Sequence, residues 1–180
     1  MKTLNIFPIL AVVALAALAP ATRADIPKLD SHLEPLRPLL EKTWKGQFRN
    51  SNPEKPMFDV AHWERALNGR AVRLTHSVND GIYGGETLIM WDESKKTIVY
   101  HYFTTAGHDT TGTMEIKDGR IITHEKVSGS SEGITEVRAT SEFLPDGAFH
   151  LKAEYCKDGE WSPGHEVTYK EDATAKVVFK

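Results

Sequence analysis

The chain has 180 residues, of which 40% are hydrophobic and 26% charged, and this composition suits one soluble domain with a hydrophobic core. The formal net charge is −3 and no stripe of Lys and Arg is present, which argues against a nucleic-acid-binding protein. The single Cys156 cannot form an internal disulfide, so no such bond stabilises the fold.

The N-terminus has the pattern of an export signal. An apolar run, residues 4–18, follows Lys2, and small residues come after it. This pattern predicts a signal peptide over residues 1–24, cleaved after Ala24. The run is short for a membrane span of about 20 residues. We therefore expect a periplasmic or secreted protein with no stable membrane anchor after cleavage. Its net charge falls from −3 to −5, because Lys2 and Arg23 are removed and no acid is.

Residues 25–42 are expected to form an N-terminal helical segment. Four leucines recur in it at helix-like spacing: Leu29, Leu33, Leu36 and Leu40. Pro35 and Pro38 interrupt a regular α-helix, so the spacing predicts a short or broken helix.

Residues 43–180 read as a single β-barrel domain. Eight turn signals lie at nearly even spacing: Asn68-Gly69, Asp80-Gly81, residues 92–96, Ala106-Gly107, Asp118-Gly119, residues 128–133, Asp146-Gly147 and Asp158-Gly159. Short runs rich in β-branched and aromatic residues lie between the signals, as in successive hairpins. The pattern predicts an all-β protein, an up-and-down antiparallel meander of roughly ten strands. Closure into a barrel would remove the sheet edges, and a two-sheet sandwich is the alternative.

A short helix leading into Lys42-Thr43-Trp44-Lys45-Gly46, followed by a ten-strand meander, resembles the calycin group. This group includes the lipocalins, the fatty-acid-binding proteins and the haem-binding nitrobindins. The chain is also similar to uncharacterised secreted bacterial lipocalin-like proteins. The resemblance implies a barrel that holds a ligand inside.

Two-residue turns, taken literally, predict which side chains face the barrel interior. On the earlier strands these are Trp63, Val72, Leu74, His76, Val78, Ile89, Trp91, Ile98, Tyr100, Tyr102, Thr113 and His124. On the last strands they are Arg138, Leu144, Phe149, Leu151, Tyr155 and Glu166. Glu125 and His165 are predicted to face outward, as is an exposed Glu64–Arg73 ion pair. Apolar residues such as Met90 and Phe103 are predicted to lie on the outer face, where a second copy of the chain could cover them in a homodimer.

The predicted ligand site consists of the polar residues on this inner face. Its members are Arg138, Tyr155, Glu166, Tyr100, Tyr102, His76 and His124. A few polar groups on an apolar wall are typical of a small-molecule pocket. Fatty-acid-binding proteins hold a carboxylate with interior Arg and Tyr, to which Arg138 and Tyr155 are similar. We therefore expect a small apolar or amphipathic ligand with a polar or anionic end, or else an internal Arg138–Glu166 ion pair.

Other functions stay open from the sequence. His124 or Glu166 could serve as acid or base in an isomerase, decarboxylase or hydrolase. The barrel could also have a simply filled interior. The nitrobindin resemblance implies haem, with His76 or His124 as the axial ligand. A metal site is not predicted, because Ser128 and Tyr169 stand where H-E-x-x-H requires its second His.

Overall fold

The computed structural model describes residues 27–180, so the predicted signal peptide lies outside the described residues. The ten strands are β1 Lys42–Phe48, β2 Phe58–Ala66, β3 Ala71–Val78, β4 Tyr83–Asp92, β5 Thr97–Thr104, β6 Asp109–Lys117, β7 Arg120–Val127, β8 Ile134–Phe143, β9 Phe149–Lys157 and β10 Glu160–Glu171.

Each strand pairs antiparallel with its neighbour in sequence, and β1 also pairs with β10. The sheet therefore closes into a barrel with no free edge. This confirms the predicted ten-stranded up-and-down barrel and excludes the two-sheet sandwich.

The N-terminal segment forms a 3₁₀ helix, Ser31–Leu39, which we call the capping helix. A 3₁₀ helix has three residues per turn, so Leu33, Leu36 and Leu39 fall on one face, and all three are fully buried. Pro35 and Pro38 lie inside this helix. Because neither proline has an N–H to donate, the two residues weaken a continuous α-helical ladder.

The capping helix is fastened to one end of the barrel by polar contacts as well as apolar ones. Asp30 caps its first turn by accepting a hydrogen bond from the backbone N–H of His32 at 3.0 Å. The His32 ring stacks on Trp91, with ring centres 3.7 Å apart. At the other end of the helix, the indole N–H of Trp44 donates to the carbonyl of Leu39 at 3.2 Å. These contacts close this end of the barrel.

The strand register matches the prediction through β5. Trp63 pairs with Leu74, His76 with Gly85, and Tyr100 with Ile89. The predicted Glu64–Arg73 ion pair forms on the outer face, with 2.7 Å between Arg73 Nε and Glu64 Oε1.

The predicted inward and outward facing is wrong for β6 and β7, and the β5–β6 loop is the cause, although Thr113 pairs with His124 as predicted. The backbone N–H of Thr104 donates to the carbonyl of His108, so the β5–β6 loop has three residues, 105–107, instead of two. Tyr100 therefore pairs with Gly112 and not with Thr113. Because side chains alternate along a strand, this one-residue slip exchanges the inner and outer faces of β6 and β7.

Two further irregularities act in the same way. The β8–β9 loop also has three residues, 145–147, since the N–H of Leu144 donates to the carbonyl of Ala148. In β10 a bulge lies between Pro163 and Glu166. Bulges place two residues opposite one and shift the alternation of side chains beyond them. Together these features decide which polar groups enter the lumen.

The outer surface retains some apolar side chains. Phe103 is 56% exposed and Met90 39% exposed, as the predicted facing requires. The Gly129–Gly133 stretch is a loop between β7 and β8. Within residues 27–180 no helix is both long and apolar enough to span a membrane.

Candidate functional site in the barrel lumen

The two ends of the lumen differ in polarity. The closed end is packed with apolar side chains, among them Trp44, Trp63, Val72, Ile89, Ile98, Met114, Ile121, Phe149 and the leucines of the capping helix. The opposite end, which we call the mouth, contains inward-facing polar side chains: Asp59, His76, Tyr83, Tyr100, Tyr102, Thr110, Glu125, Tyr155 and His165. Most of these are only half-buried, and 20% of the His76 side chain is exposed. The mouth is therefore the end of the lumen where side chains are partly exposed to solvent.

A hydrogen-bonded chain links three strands in the mouth. His76 Nδ1 lies 2.9 Å from Asp59 Oδ1, and His76 Nε2 lies 2.7 Å from the Tyr102 hydroxyl. The Tyr102 hydroxyl lies 3.1 Å from that of Tyr83. A carboxylate that orients a histidine, which in turn contacts a hydroxyl, is an arrangement suited to moving a proton.

Asp59 is fixed by a second partner. Its Oδ2 accepts a hydrogen bond from the Tyr169 hydroxyl at 2.8 Å, and only 3% of Asp59 is exposed. Burial raises the pKa of Tyr169 well above its usual range, so this phenol stays protonated and keeps donating. The bond holds the Asp59 carboxylate in the position where it contacts His76.

Glu125 projects into the lumen from β7. Its Oε2 accepts a hydrogen bond from the Thr110 hydroxyl at 2.7 Å. Burial raises the pKa of the Glu125 carboxyl, while hydrogen bonds from Thr110 and Tyr100 oppose the shift. The neighbouring His124 also acts to lower this pKa. Glu125 is thus a partly buried acid that forms no ion pair with a Lys or Arg side chain of residues 27–180.

His165 and Tyr155 form the remaining polar pair of the mouth. The Tyr155 hydroxyl lies 2.6 Å from His165 Nδ1. Burial lowers the pKa of His165, which favours a neutral imidazole at neutral pH. Phe48 packs edge-on against the imidazole, with ring centres 6.0 Å apart.

Glycines make room for three of the tyrosine rings. A side chain at Gly112 would meet Tyr100 Cζ at 2.5 Å, and one at Gly164 would meet Tyr155 Cε1 at 2.9 Å. A side chain at Gly85 would collide with the ring of Tyr102 in the same way. The rings therefore lie against bare backbone.

Four residues of the predicted site face the lumen as expected: Tyr100, Tyr102, Tyr155 and His76. The predicted inward orientation is wrong for the other three, His124, Arg138 and Glu166. His124 and Arg138 pair across β7 and β8 on the outer face, where the three-residue loops place them. The bulge in β10 moves Glu166 outward and brings His165 inward.

The predicted internal Arg138–Glu166 ion pair does not form. Arg138 Nε instead donates to Glu154 Oε2 at 2.7 Å, and about half of the Arg138 side chain (49%) is exposed. Its guanidinium lies over the Trp161 ring, 4.3 Å from the ring centre. Glu166 accepts from Arg49 at 2.8 Å.

The sequence prediction did not include five members of the mouth: Asp59, Tyr83, Thr110, Glu125 and His165. Asp59 lies in the alternation of Ala61 and Trp63, which was a usable signal for an inward position. Glu125 and His165 were placed outward because the loop lengths and the bulge were not recognised.

A concavity of about 500 Å³ lies beside the capping helix. His32, Trp91, Ile116 and His124 are among the residues that line it. It is an open groove and lacks the buried polar groups of the mouth. In the described part of the chain no three His, Cys, Asp or Glu side chains come together as a metal site.

These features define a ten-stranded antiparallel β-barrel with an apolar closed end and a polar mouth. In fold, the chain is similar to the crystal structure of Rv2717c from M. tuberculosis, with a TM-score of 0.58. The two share 12% sequence identity over 81% of this chain and 99% of that one, so the likeness shows the fold alone. No family model matches the chain, and no curated protein matches it.

Proposed function

We propose that this protein binds a small, largely apolar molecule through the mouth of its barrel. The observation that supports the proposal is the contrast between the two ends of one lumen, one packed and apolar, the other polar and reachable from solvent. Concave sites with a mostly apolar wall and a few fixed polar groups are typical of ligand pockets. Arg138 lies on the outer face, so the anchor expected for an anionic end is not in the lumen. The ligand's polar end instead meets tyrosines, histidines and acids.

Binding of the fluorescent apolar probe N-phenyl-1-naphthylamine tests this proposal. Val127 faces inward near the mouth, and Lys126 is its outward, exposed neighbour on β7. We expect saturable binding of one probe per barrel, lost in Val127→Trp because the indole fills the mouth. Lys126→Trp adds the same side chain outside and should leave binding unchanged. Equal binding by both variants would refute a lumenal site.

A second candidate function is proton transfer, favoured by the Asp59–His76–Tyr102 chain. A carbonyl oxygen that accepts a hydrogen bond from Tyr102 would make the adjacent C–H more acidic, and Glu125 in the same lumen could take that proton. Deuterium uptake by 2-decanone in D₂O measures this reaction. We expect uptake to fall in Tyr102→Phe and His76→Gln but not in His101→Gln, which changes the outer face. No uptake above the buffer rate would refute this candidate.

Haem is the ligand that the nitrobindin resemblance implies, and His165 is the residue that fits an axial ligand. Its Nδ1 contacts Tyr155, its Nε2 has no hydrogen-bond partner among residues 27–180, and its lowered pKa keeps a nitrogen lone pair available. Haem would supply an iron that takes such a nitrogen. Titration with hemin should shift the Soret band in the wild type and in His101→Ala, but not in His165→Ala. A Soret shift that persists in His165→Ala would remove this role.

We also propose that the protein is exported, on the basis of the Lys2, residues 4–18 and Ala24 pattern. Intact mass of the exported protein should correspond to a chain that begins at Asp25. A membrane fraction that retains residues 1–24 would contradict the proposal.

A further inference from the structure

We propose that the polar end of the ligand is a protonated amine, held by the Glu125 carboxylate among the mouth tyrosines. This inference rests on the proposed binding function and names its ligand class. Glu125 lies in the lumen, where it accepts a hydrogen bond from the Thr110 hydroxyl at 2.7 Å and a second one from Tyr100. A carboxylate has room for about four hydrogen bonds, so about half of its acceptor capacity is available.

The strand register places mouth tyrosines on both sides of this carboxylate. Gly112 pairs with both Tyr100 and Glu125, and Val137 pairs with both Glu125 and Tyr155. Tyr102 pairs with Thr110, the residue that donates to Glu125, and the Tyr102 hydroxyl contacts Tyr83. The four tyrosines come from β4, β5 and β9, on different sides of the lumen. Their rings are electron-rich and their hydroxyl oxygens accept hydrogen bonds, two properties that favour an ammonium group.

Within residues 27–180 Glu125 forms no ion pair with a Lys or Arg side chain. Among these residues the basic group that acts on its pKa is His124, which lies on the outer face and contacts Glu136. A buried carboxylate is normally paired with a cation, because burial alone disfavours its charged form. A ligand cation would supply the missing partner. Glu132, in the loop above the mouth, also acts on Tyr83 and Tyr155 and adds a further negative charge at the entrance.

Three ligands with the same chain and different head groups test the inference: octylamine, octanol and octanoate. Their affinities are read from displacement of N-phenyl-1-naphthylamine. We expect octylamine to bind most tightly and octanoate least. Glu125→Gln keeps the size and the Thr110 contact but removes the charge. It should weaken octylamine by about 30-fold or more and leave octanol unchanged.

Glu115→Gln is the matched control, because it removes one negative charge from the exposed outer face of β6. It should leave octylamine affinity unaltered. Glu125→Asp retains the charge and should retain the preference for the amine, which keeps the test valid if Glu125→Gln folds poorly.

The pH dependence provides a second measurement. Octylamine should bind best above the raised pKa of Glu125 and below the pKa of the amine, and affinity should fall as acid protonates the carboxylate. The other titratable groups of the mouth are Asp59, His76, His165 and the four tyrosines, with His124 on the outer face beside Glu125 and Glu132 in the loop above. Glu125→Gln retains all of these groups, so the difference between its pH profile and that of the wild type reports Glu125. The phenols all have raised pKa values, so they do not titrate in this range.

Equal affinity for octylamine and octanol would overturn the amine assignment while leaving the binding function intact. An amine preference that survives in Glu125→Gln would overturn the role of Glu125. If none of the three ligands displaces the probe and Val127→Trp still binds it, the binding function itself fails.

Discussion

Replacing Tyr169 by Phe removes one hydroxyl from the protein interior and tests how Asp59 is held. Tyr169 donates to Asp59 Oδ2 at 2.8 Å, and Asp59 is 3% exposed, so water does not readily replace the lost donor. Hydrogen bonds to charged groups contribute about 1.5–3 kcal/mol, and the phenylalanine ring leaves no cavity. We therefore expect the free energy of unfolding to fall by about 1.5–3 kcal/mol, which for a domain of this size lowers Tm by about 3–12 °C.

Urea unfolding at neutral pH measures the change, with Tyr83→Phe as the control. Tyr83 is half-buried and its partner is the neutral Tyr102 hydroxyl, so the control should cost about 0.5–1.5 kcal/mol. In a double-mutant cycle, Tyr169→Phe and Asp59→Asn should be non-additive by about 0.5–3 kcal/mol. A loss below about 0.5 kcal/mol for Tyr169→Phe, or additive effects, would refute the view that this bond fixes Asp59.

Three other predictions follow from the placement of single residues. The pKa of Glu125 is raised in the folded protein, so its contribution to stability is fully present below its unfolded pKa and is lost as pH rises through the folded pKa. Gln does not titrate, so in chemical denaturation Glu125→Gln should become more stable relative to the wild type as pH rises through this window. A pH-independent difference between the two proteins would contradict this prediction. Arg138→Leu should leave the free energy of unfolding and probe binding nearly unchanged, because the Arg138–Glu154 pair is half-exposed; a large loss in either measurement would place Arg138 in the interior after all. Leu36→Ala, in the capping helix, should destabilise by about 2–5 kcal/mol in thermal or urea unfolding because Leu36 is fully buried, whereas a loss below about 1 kcal/mol would mean that the cap is not part of the core.

The sequence alone determined the architecture. Evenly spaced Asn-Gly and Asp-Gly turns between β-branched runs require successive hairpins, since both turn residues must accept positive φ. Asp118 and Gly119 have φ of 52° and 76°, as such a turn requires. The closed ten-stranded meander and the inner faces of β2–β5 follow from this pattern.

The sequence also contains signals for the longer loops and for the bulge. The prediction did not use them, because it took every turn to be two residues long. Ala106 is a poor residue for positive φ, which favours a longer loop before Gly107. Pro145, before Asp146-Gly147, suits the first central position of a type I turn, and Gly147 then takes the positive φ of 81° that completes a three-residue loop. Pro163-Gly164 inside β10 marks a bulge.

Only the tertiary structure decided which polar residues share the lumen. Side chains alternate with a period of two. Each loop with one extra residue, and each one-residue bulge, therefore exchanges the inner and outer positions expected for the residues beyond it. A local stretch of sequence does not show how several such shifts combine around the sheet. The pairing of β10 with β1 closes the barrel and so fixes all the strand registers together. That closure brings Glu125 and His165 inside in place of His124 and Glu166, and it joins Asp59 to Tyr169 across a separation of 110 residues.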